Sequence, residues 1–251
     1  MPKENEQHIQ EKEMNMVGHL SELRNRLIFI AVWFILFFVL GFIYVKDIYQ
    51  FFVLNLDFKL ASTSPGDIIW IYFTMSGLVG LVATIPVLAL QIWLFVKPAL
   101  TDKERRASVA YIPALFILFI AGLVFGYLVF TKLIFPFLLD LNDGMFHIIF
   151  TVDNYFHFLF RVTIPFAILF EIPVISMFLT KIGILTPAFM KKTRKYAYFV
   201  LVIVGAAVTP PDFVLQVVVA IPLILLYEIS IILSGVVYRK KLKLHEQFMQ
   251  Q

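Results

Sequence analysis

The chain has 251 residues, 61% of them hydrophobic and 15% charged, with a formal net charge of +4 and no cysteine. Soluble domains run about 45–50% apolar and about 25% charged, so this composition excludes an ordinary soluble domain and predicts a protein that crosses a bilayer several times. Without cysteine there are no disulfides, thiolate nucleophiles or cysteine-held metals, and basic charge gathered in short loops between apolar runs is a topology signal, not a nucleic-acid one.

Residues 1–15 are acidic, basic and amide-rich, and are expected to form a flexible cytoplasmic tail. From Met16, apolar Leu20, Leu23 and Leu27 recur at helical spacing with Glu22, Arg24 and Arg26 between them. That pattern predicts a short amphipathic helix at the membrane surface, with His19, Glu22 and Arg26 on its other face. It leads into a first span over Leu27–Val45. Lys46–Asp67 is predicted to be a mixed loop, with aromatic Tyr49, Phe51 and Phe52 and a Ser62-Thr-Ser-Pro-Gly66 turn.

The second span is predicted over Ile68–Val96 and the third over Ala107–Phe130. Between them lies a charged island, Lys97-Pro-Ala-Leu-Thr-Asp-Lys-Glu-Arg-Arg106. A bilayer's hydrocarbon needs about 20 apolar residues as helix, so both runs are long enough to cross and the island is a turn at a membrane surface. A second mixed loop, Thr131–Asn154, carries the turn signal Asn142-Asp-Gly144. The fourth span is predicted over Tyr155–Thr180, followed by basic Lys181–Lys195, in which Thr186-Pro187 reads as N-cap and first residue of a new helix.

The fifth span, Tyr196–Thr209, has only about 14 residues, roughly 21 Å of helix against roughly 30 Å of hydrocarbon. After Pro210-Pro211-Asp212 the chain returns as a sixth span over Phe213–Tyr238 and ends in a basic tail, residues 239–251. A hairpin this short should thin the bilayer locally. Prolines 86, 113, 165 and 222 lie inside spans and are read as kinks shaping a curved wall. Of the 21 lysines and arginines, only Lys46, Lys59, Lys132 and the intraspan Arg161 lie off one side of this arrangement. That asymmetry predicts six spans over residues 16–238 with both termini cytoplasmic.

No internal repeat is visible, so the inverted-repeat plan of many transporters is absent. A small-solute transporter using Glu171 as proton relay would need polar groups converging at midplane, and the spans hold essentially one carboxylate. His-Glu-x-x-His, Gly-x-Ser-x-Gly and phosphate-cradling glycine loops are missing from the sequence, which speaks against an intramembrane enzyme. No cofactor is expected.

Five motifs in order resemble the TatC family, the receptor subunit of twin-arginine protein translocation. They are His19-Leu-Ser-Glu-Leu-Arg-Asn-Arg-Leu27, Pro98-Ala-Leu100 with Glu104-Arg-Arg106, Phe170-Glu-Ile-Pro173, Thr209-Pro-Pro-Asp212 and Tyr227-Glu-Ile229. The resemblance implies an all-α integral membrane protein with a concave, cupped bundle and short fifth and sixth spans. It implies a non-enzymatic receptor in the cell membrane that binds Arg-Arg signal peptides of folded precursors. The expected partners are TatA-type, and in some systems TatB-type, single-span subunits, further copies of itself and the bilayer, in export driven by the proton-motive force. Two residues depart from the family pattern: Thr101, where members often carry a large residue, and Arg161.

The resemblance assigns Glu22, Glu104, His19 and Arg24 to signal-peptide binding, and Glu171, Gln216 and Asp212 to intramembrane or partner contact. Each also has a plainer structural reading. Thr101-x-x-Glu104 is a capping box for the third span. Glu22 stands four residues before Arg26, a favourable helical ion pair. As docking groups, two carboxylates suit two planar guanidinium forks, which lysine ammoniums do not match. Glu171 in mid-span is functional or a buried bridge between spans. Arg161 lies ten residues earlier, about 15 Å along the helix, too far to pair with it. Asp212 is an assembly residue or a turn residue, with Gln216 one helical turn later. Glu228, 16 residues past Asp212, is read as structural.

Overall fold

The computed structural model describes residues 2–54, 56, 58–97, 105, 108–142, 149–209 and 212–249. Its elements are α1 (Pro2–Ile43), α2 (Val45–Val53), α3 (Pro65–Val96), α4 (Tyr111–Val129), a π-helical turn (Phe130–Ile134), α5 (Phe135–Asn142), α6 (Val152–Leu169), α7 (Ile172–Ile182), α8 (Pro187–Val208) and α9 (Phe213–Met249). The fold is all-α. Among the described residues, five stretches are long and apolar enough to cross a membrane: Ser21–Ile43, Pro65–Val96, Tyr111–Asn142, Val152–Ile182 and Leu215–Leu242.

Four boundaries differ from the sequence expectation, each for a local reason. The surface helix and first span are one rod, because no proline interrupts the chain between Pro2 and Pro65. The loop after the first span contains α2, whose Val45, Ile48, Tyr49 and Phe52 form one helical stripe against the core. The third span does not stop at Phe130. It widens into the π turn, where the Phe135 N–H donates to the Phe130 carbonyl, just before Pro136, which has no N–H to give. The fourth span breaks at Phe170–Glu171, and Pro173 opens α7.

Other local signals are realised. Thr186 caps α8, its hydroxyl accepting from the Phe189 N–H at 3.2 Å, with Pro187 in the first turn. Ser64 and Asp67 form a capping box for α3. The basic first half of α8 keeps it out of the five apolar spans, leaving its apolar part as short as predicted. The Asn142-Asp-Gly144 turn and Pro210-Pro211 lie largely outside the described residues.

Helix α1 packs along α3, α4 against α3 and α6, and α9 against α7 and α8. The α4–α6 contact is built on Gly122 and Gly126. A Cβ on Gly122 would lie 2.7 Å from the Ala167 Cα, and one on Gly126 2.8 Å from the Thr163 Cα. In lipid there is little hydrophobic drive between helices, and small residues let backbones approach. The α7–α9 contact is polar instead: Thr180 and Ser234 share a 2.6 Å hydroxyl hydrogen bond, and Ser176 and Ser230 are buried beside it. Gly183 ends α7 with φ +90°, a conformation that favours glycine. There the Lys241 ammonium donates to the Lys181 carbonyl at 3.0 Å. At the α2 end, Ala61 and Thr151 form a parallel bridge joining the two long connections. Phe58 packs on Phe150 beside it, with ring centroids 4.7 Å apart.

Candidate functional site

The polar groups of the α1–α3 end are organised around Arg26. Its Nη2 lies 2.5 Å from Glu22 Oε1, one helical turn away, and its Nη1 donates to Gln91 Oε1 of α3 at 2.9 Å. The helical ion pair expected for Glu22 is therefore present, and it doubles as a cross-helix tie. The Glu22 side chain keeps 41% of its exposure, so an incoming group can still reach the pair. Arg24 is exposed on the same helix. Gln91, missed from the sequence, had one signal: it is the lone amide in the apolar run Leu90–Val96.

Gln91 stands six residues before Lys97, so this network sits at the foot of the charged island. Both stems of the island are pinned. Trp93 Nε1 donates to the Ser108 hydroxyl at 2.9 Å, that hydroxyl donates to the Arg105 carbonyl at 3.1 Å, and Lys97 Nζ lies 5.3 Å over the Trp93 ring. Glu104 and Thr101 themselves lie outside the described residues, as does the His19 side chain.

Glu171 sits at the break between α6 and α7. It is only 8% exposed, and neither carboxyl oxygen has a hydrogen-bond partner among the described residues. It lines a cavity of about 310 Å³ between α3, α4 and α7, walled by residues such as Ala89, Trp93, Tyr111 and Phe178. A buried bridge between spans would have used those oxygens. Burying a polar group without a partner costs free energy, and this carboxyl bears that cost at the wall of the cavity. Arg161 is exposed on α6 and does not meet it.

Asp212 is a capping residue: its Oδ1 accepts from the Leu215 N–H at 2.9 Å, in the first turn of α9. Gln216 is half-buried in the same turn. These two are together, but on elements separate from Glu22 and from Glu171. A further charged cluster was not foreseen. Arg194 of α8 reaches Glu228 of α9, Nη2 to Oε2 at 2.9 Å and Nε to Oε1 at 2.8 Å, and the Tyr198 hydroxyl donates a short hydrogen bond to Glu228 Oε1. The Tyr227 hydroxyl adds a bond to the Met190 carbonyl at 3.0 Å. Glu228 thus fastens α8 to α9. Among the described residues, no group of three or more His, Cys, Asp or Glu comes together as a metal site.

The family described as "TatC: Sec-independent protein translocase protein (TatC)" matches residues 18–222. The chain is 45% identical over 232 residues to Sec-independent protein translocase protein TatCd of Bacillus subtilis (strain 168), covering 92% of this chain and 96% of that one. To TatCy of the same organism it is 40% identical over 239 residues, covering 92% of each. Among solved structures, a crystal structure of a twin-arginine translocase receptor TatC in the detergent DDM superposes with TM-score 0.76 at 34% identity, covering 86% of this chain and 99% of that one.

Proposed function

Since the chain belongs to the TatC family of Sec-independent protein translocase proteins, we propose that it is the receptor of a twin-arginine translocase, docking Arg-Arg signal peptides at the basic end of the bundle. The carrying observation is the placement of Glu22. The Arg26–Gln91 tie holds this partly exposed carboxylate at the foot of the island that contains Glu104. Two carboxylates on one surface accept two adjacent guanidiniums, each bidentately. Docking there exchanges the Glu22–Arg26 pair for a peptide arginine, while Arg26 keeps its bond to Gln91. Arg24 is exposed on the same helix beside this approach, and His19 belongs to the same docking segment in the sequence.

The basic-residue asymmetry supports an orientation with both termini cytoplasmic and α8 as a sixth, short crossing. The antiparallel return of α9 along α8 is consistent with that count. In this reading the protein sits in the cell membrane as a cupped bundle. Glu171 receives a polar group from the signal peptide or from a TatA-type helix. Asp212 and Gln216 lie at a subunit contact, where further copies or a TatB-type subunit assemble. The receptor itself catalyses no covalent step, and transport is driven by the proton-motive force.

The test is capture of an Arg-Arg precursor beside its Lys-Lys variant. A cap needs only an acceptor oxygen, which glutamine also offers, whereas docking needs the charge. Hydrogen bonds to charged groups are worth roughly 1.5–3 kcal/mol, so Glu104→Gln should weaken capture by roughly tenfold or more at unchanged protein level. Thr101→Ala should lower stability by about 1 kcal/mol and leave capture intact. If Glu104→Gln captures precursor like the parent, Glu104 is a cap and the docking reading of the island fails.

A further inference from the structure

A groove of about 300 Å³ opens between the start of α8 and the last membrane turns of α9. This is the lower end of the size range of ligand pockets. Its walls are Ile231, Ile232, Val236 and Pro187, and its rim is Lys191, Tyr238 and Arg239. The floor includes Gly235, where an added Cβ would meet nothing within 4 Å. No close packing demands a glycine there; its missing side chain leaves the trench open.

The polarity of this groove runs in one direction. Its apolar lining comes mainly from the α9 span, and its two cations are Lys191 of α8 and Arg239 near the end of that span. Lys191 and Arg239 are exposed, and neither forms an ion pair with a carboxylate among the described residues. Glu228, the carboxylate that ties α8 to α9, is already held by Arg194 and Tyr198. The positive end of the α8 dipole, at Pro187, adds to the same field. Among the described residues, no carboxylate lines the groove.

We propose that this groove is a binding site for an anionic diacyl phospholipid, with the phosphate held between Lys191 and Arg239, the Tyr238 hydroxyl alongside, and an acyl chain laid over Gly235 in the trench. Basic pockets between transmembrane helices at the cytoplasmic surface take anionic headgroups. A soluble anion would leave the trench unused, and a neutral lipid would leave the two cations unmatched. The site goes beyond signal-peptide docking and uses none of its residues; the proposed orientation enters only in assigning the lipid to the inner leaflet. A lipid bridging α8 and α9 there would reinforce the hairpin at the end where Lys191 and Arg239 face each other across the groove.

The experiment is native mass spectrometry of the purified full chain, with thermal-shift titration, using phosphatidylglycerol, phosphatidylcholine and inorganic phosphate as probes. The parent should retain phosphatidylglycerol over phosphatidylcholine, and inorganic phosphate should give no shift. Lys191→Gln with Arg239→Gln should lose that preference by roughly thirtyfold, from about 1 kcal/mol per surface cation. Gly235→Phe fills the trench and should reduce retention of both lipids while leaving the cations in place. Equal retention of the two lipids by the parent overturns the proposal. So does unchanged preference in the double variant, which would assign retention to general surface charge. A shift with inorganic phosphate equal to that with lipid would make the groove a simple anion site. Loss of self-association without loss of lipid in Gly235→Phe would assign it to a neighbouring helix.

Discussion

Exchange of glycine for alanine should change sign with position along this chain. At Gly122 an added Cβ would lie 2.7 Å from the Ala167 Cα, 2.9 Å from the Phe166 carbonyl oxygen and 2.9 Å from the Phe170 Cβ. At Gly126 the corresponding approaches are 2.8 Å and 3.1 Å to the Thr163 Cα and carbonyl oxygen. Carbon atoms settle at about 3.5–4.0 Å, so α4 and α6 must part by roughly 1 Å. Most of the opposing atoms are backbone and cannot rotate away. Overpacking of this kind costs about 1–3 kcal/mol. Against it stands a gain of about 1 kcal/mol, because alanine favours helix over glycine. The net expectation is a loss of up to about 2 kcal/mol at either site, with a smaller second loss when both are changed, since the helices part only once. Gly77→Ala and Gly235→Ala are the controls: nothing lies within 4 Å of either added Cβ, so both should be neutral or slightly stabilising. Equilibrium unfolding in mixed micelles reads the difference from these controls, the overpacking cost of about 1–3 kcal/mol, as a change of about fivefold or more in the folded-to-unfolded ratio. Should Gly122→Ala and Gly126→Ala match Gly77→Ala, the close-approach reasoning is wrong.

Three other outcomes follow from the described geometry. Glu171→Ala should leave precursor capture largely intact and reduce transport and crosslinking to single-span partners; unchanged transport and crosslinking would make the residue dispensable packing. A double-mutant cycle between Glu228→Gln and Arg194→Gln, read by unfolding in detergent, should give a coupling of about 0.5–1 kcal/mol, as for partly exposed pairs; zero coupling would mean the pair does not fasten α8 to α9. Reporters fused after Lys103 and Lys192 should be cytoplasmic and those after Ser64 and Asn142 external, and one reversed loop would end the six-crossing arrangement.

Much of the fold is legible because bilayer thickness converts directly into run length. The island, the long runs on either side and the Thr186-Pro187 start of α8 are local properties of the chain. What escapes is non-local or masked. The stripe Val45, Ile48, Tyr49 and Phe52 is helical, but the lysine and turn residues around it give it the look of a loop. The spacing Gly122-x-x-x-Gly126 is visible in the sequence, whereas the partner it admits, α6, is not. Arg26 has a sequence-near carboxylate in Glu22, yet its cross-helix acceptor Gln91 is 65 positions away. Asp212 carried a turn reading and an assembly reading, and the bond its Oδ1 accepts from the Leu215 N–H is a local one that the sequence alone did not specify. Glu171 was found by depth alone, because a carboxyl in an apolar run stands out whatever its partner.

The interruption at Phe170–Glu171 also has a mechanical consequence. The two halves of that span are gripped by different neighbours: α6 by the glycines of α4, and α7 by the hydroxyl pair it shares with α9. The α6 half leans chiefly on α4 and the α7 half chiefly on α9, with only lighter contacts between the two sets of helices. A tilt of one set against the other would turn about these few residues. The cavity at Glu171 lies at the pivot, lined by α3 and α4 on one side and α7 on the other. Any such tilt would change the width of the cavity, because its walls belong to both sides of the break.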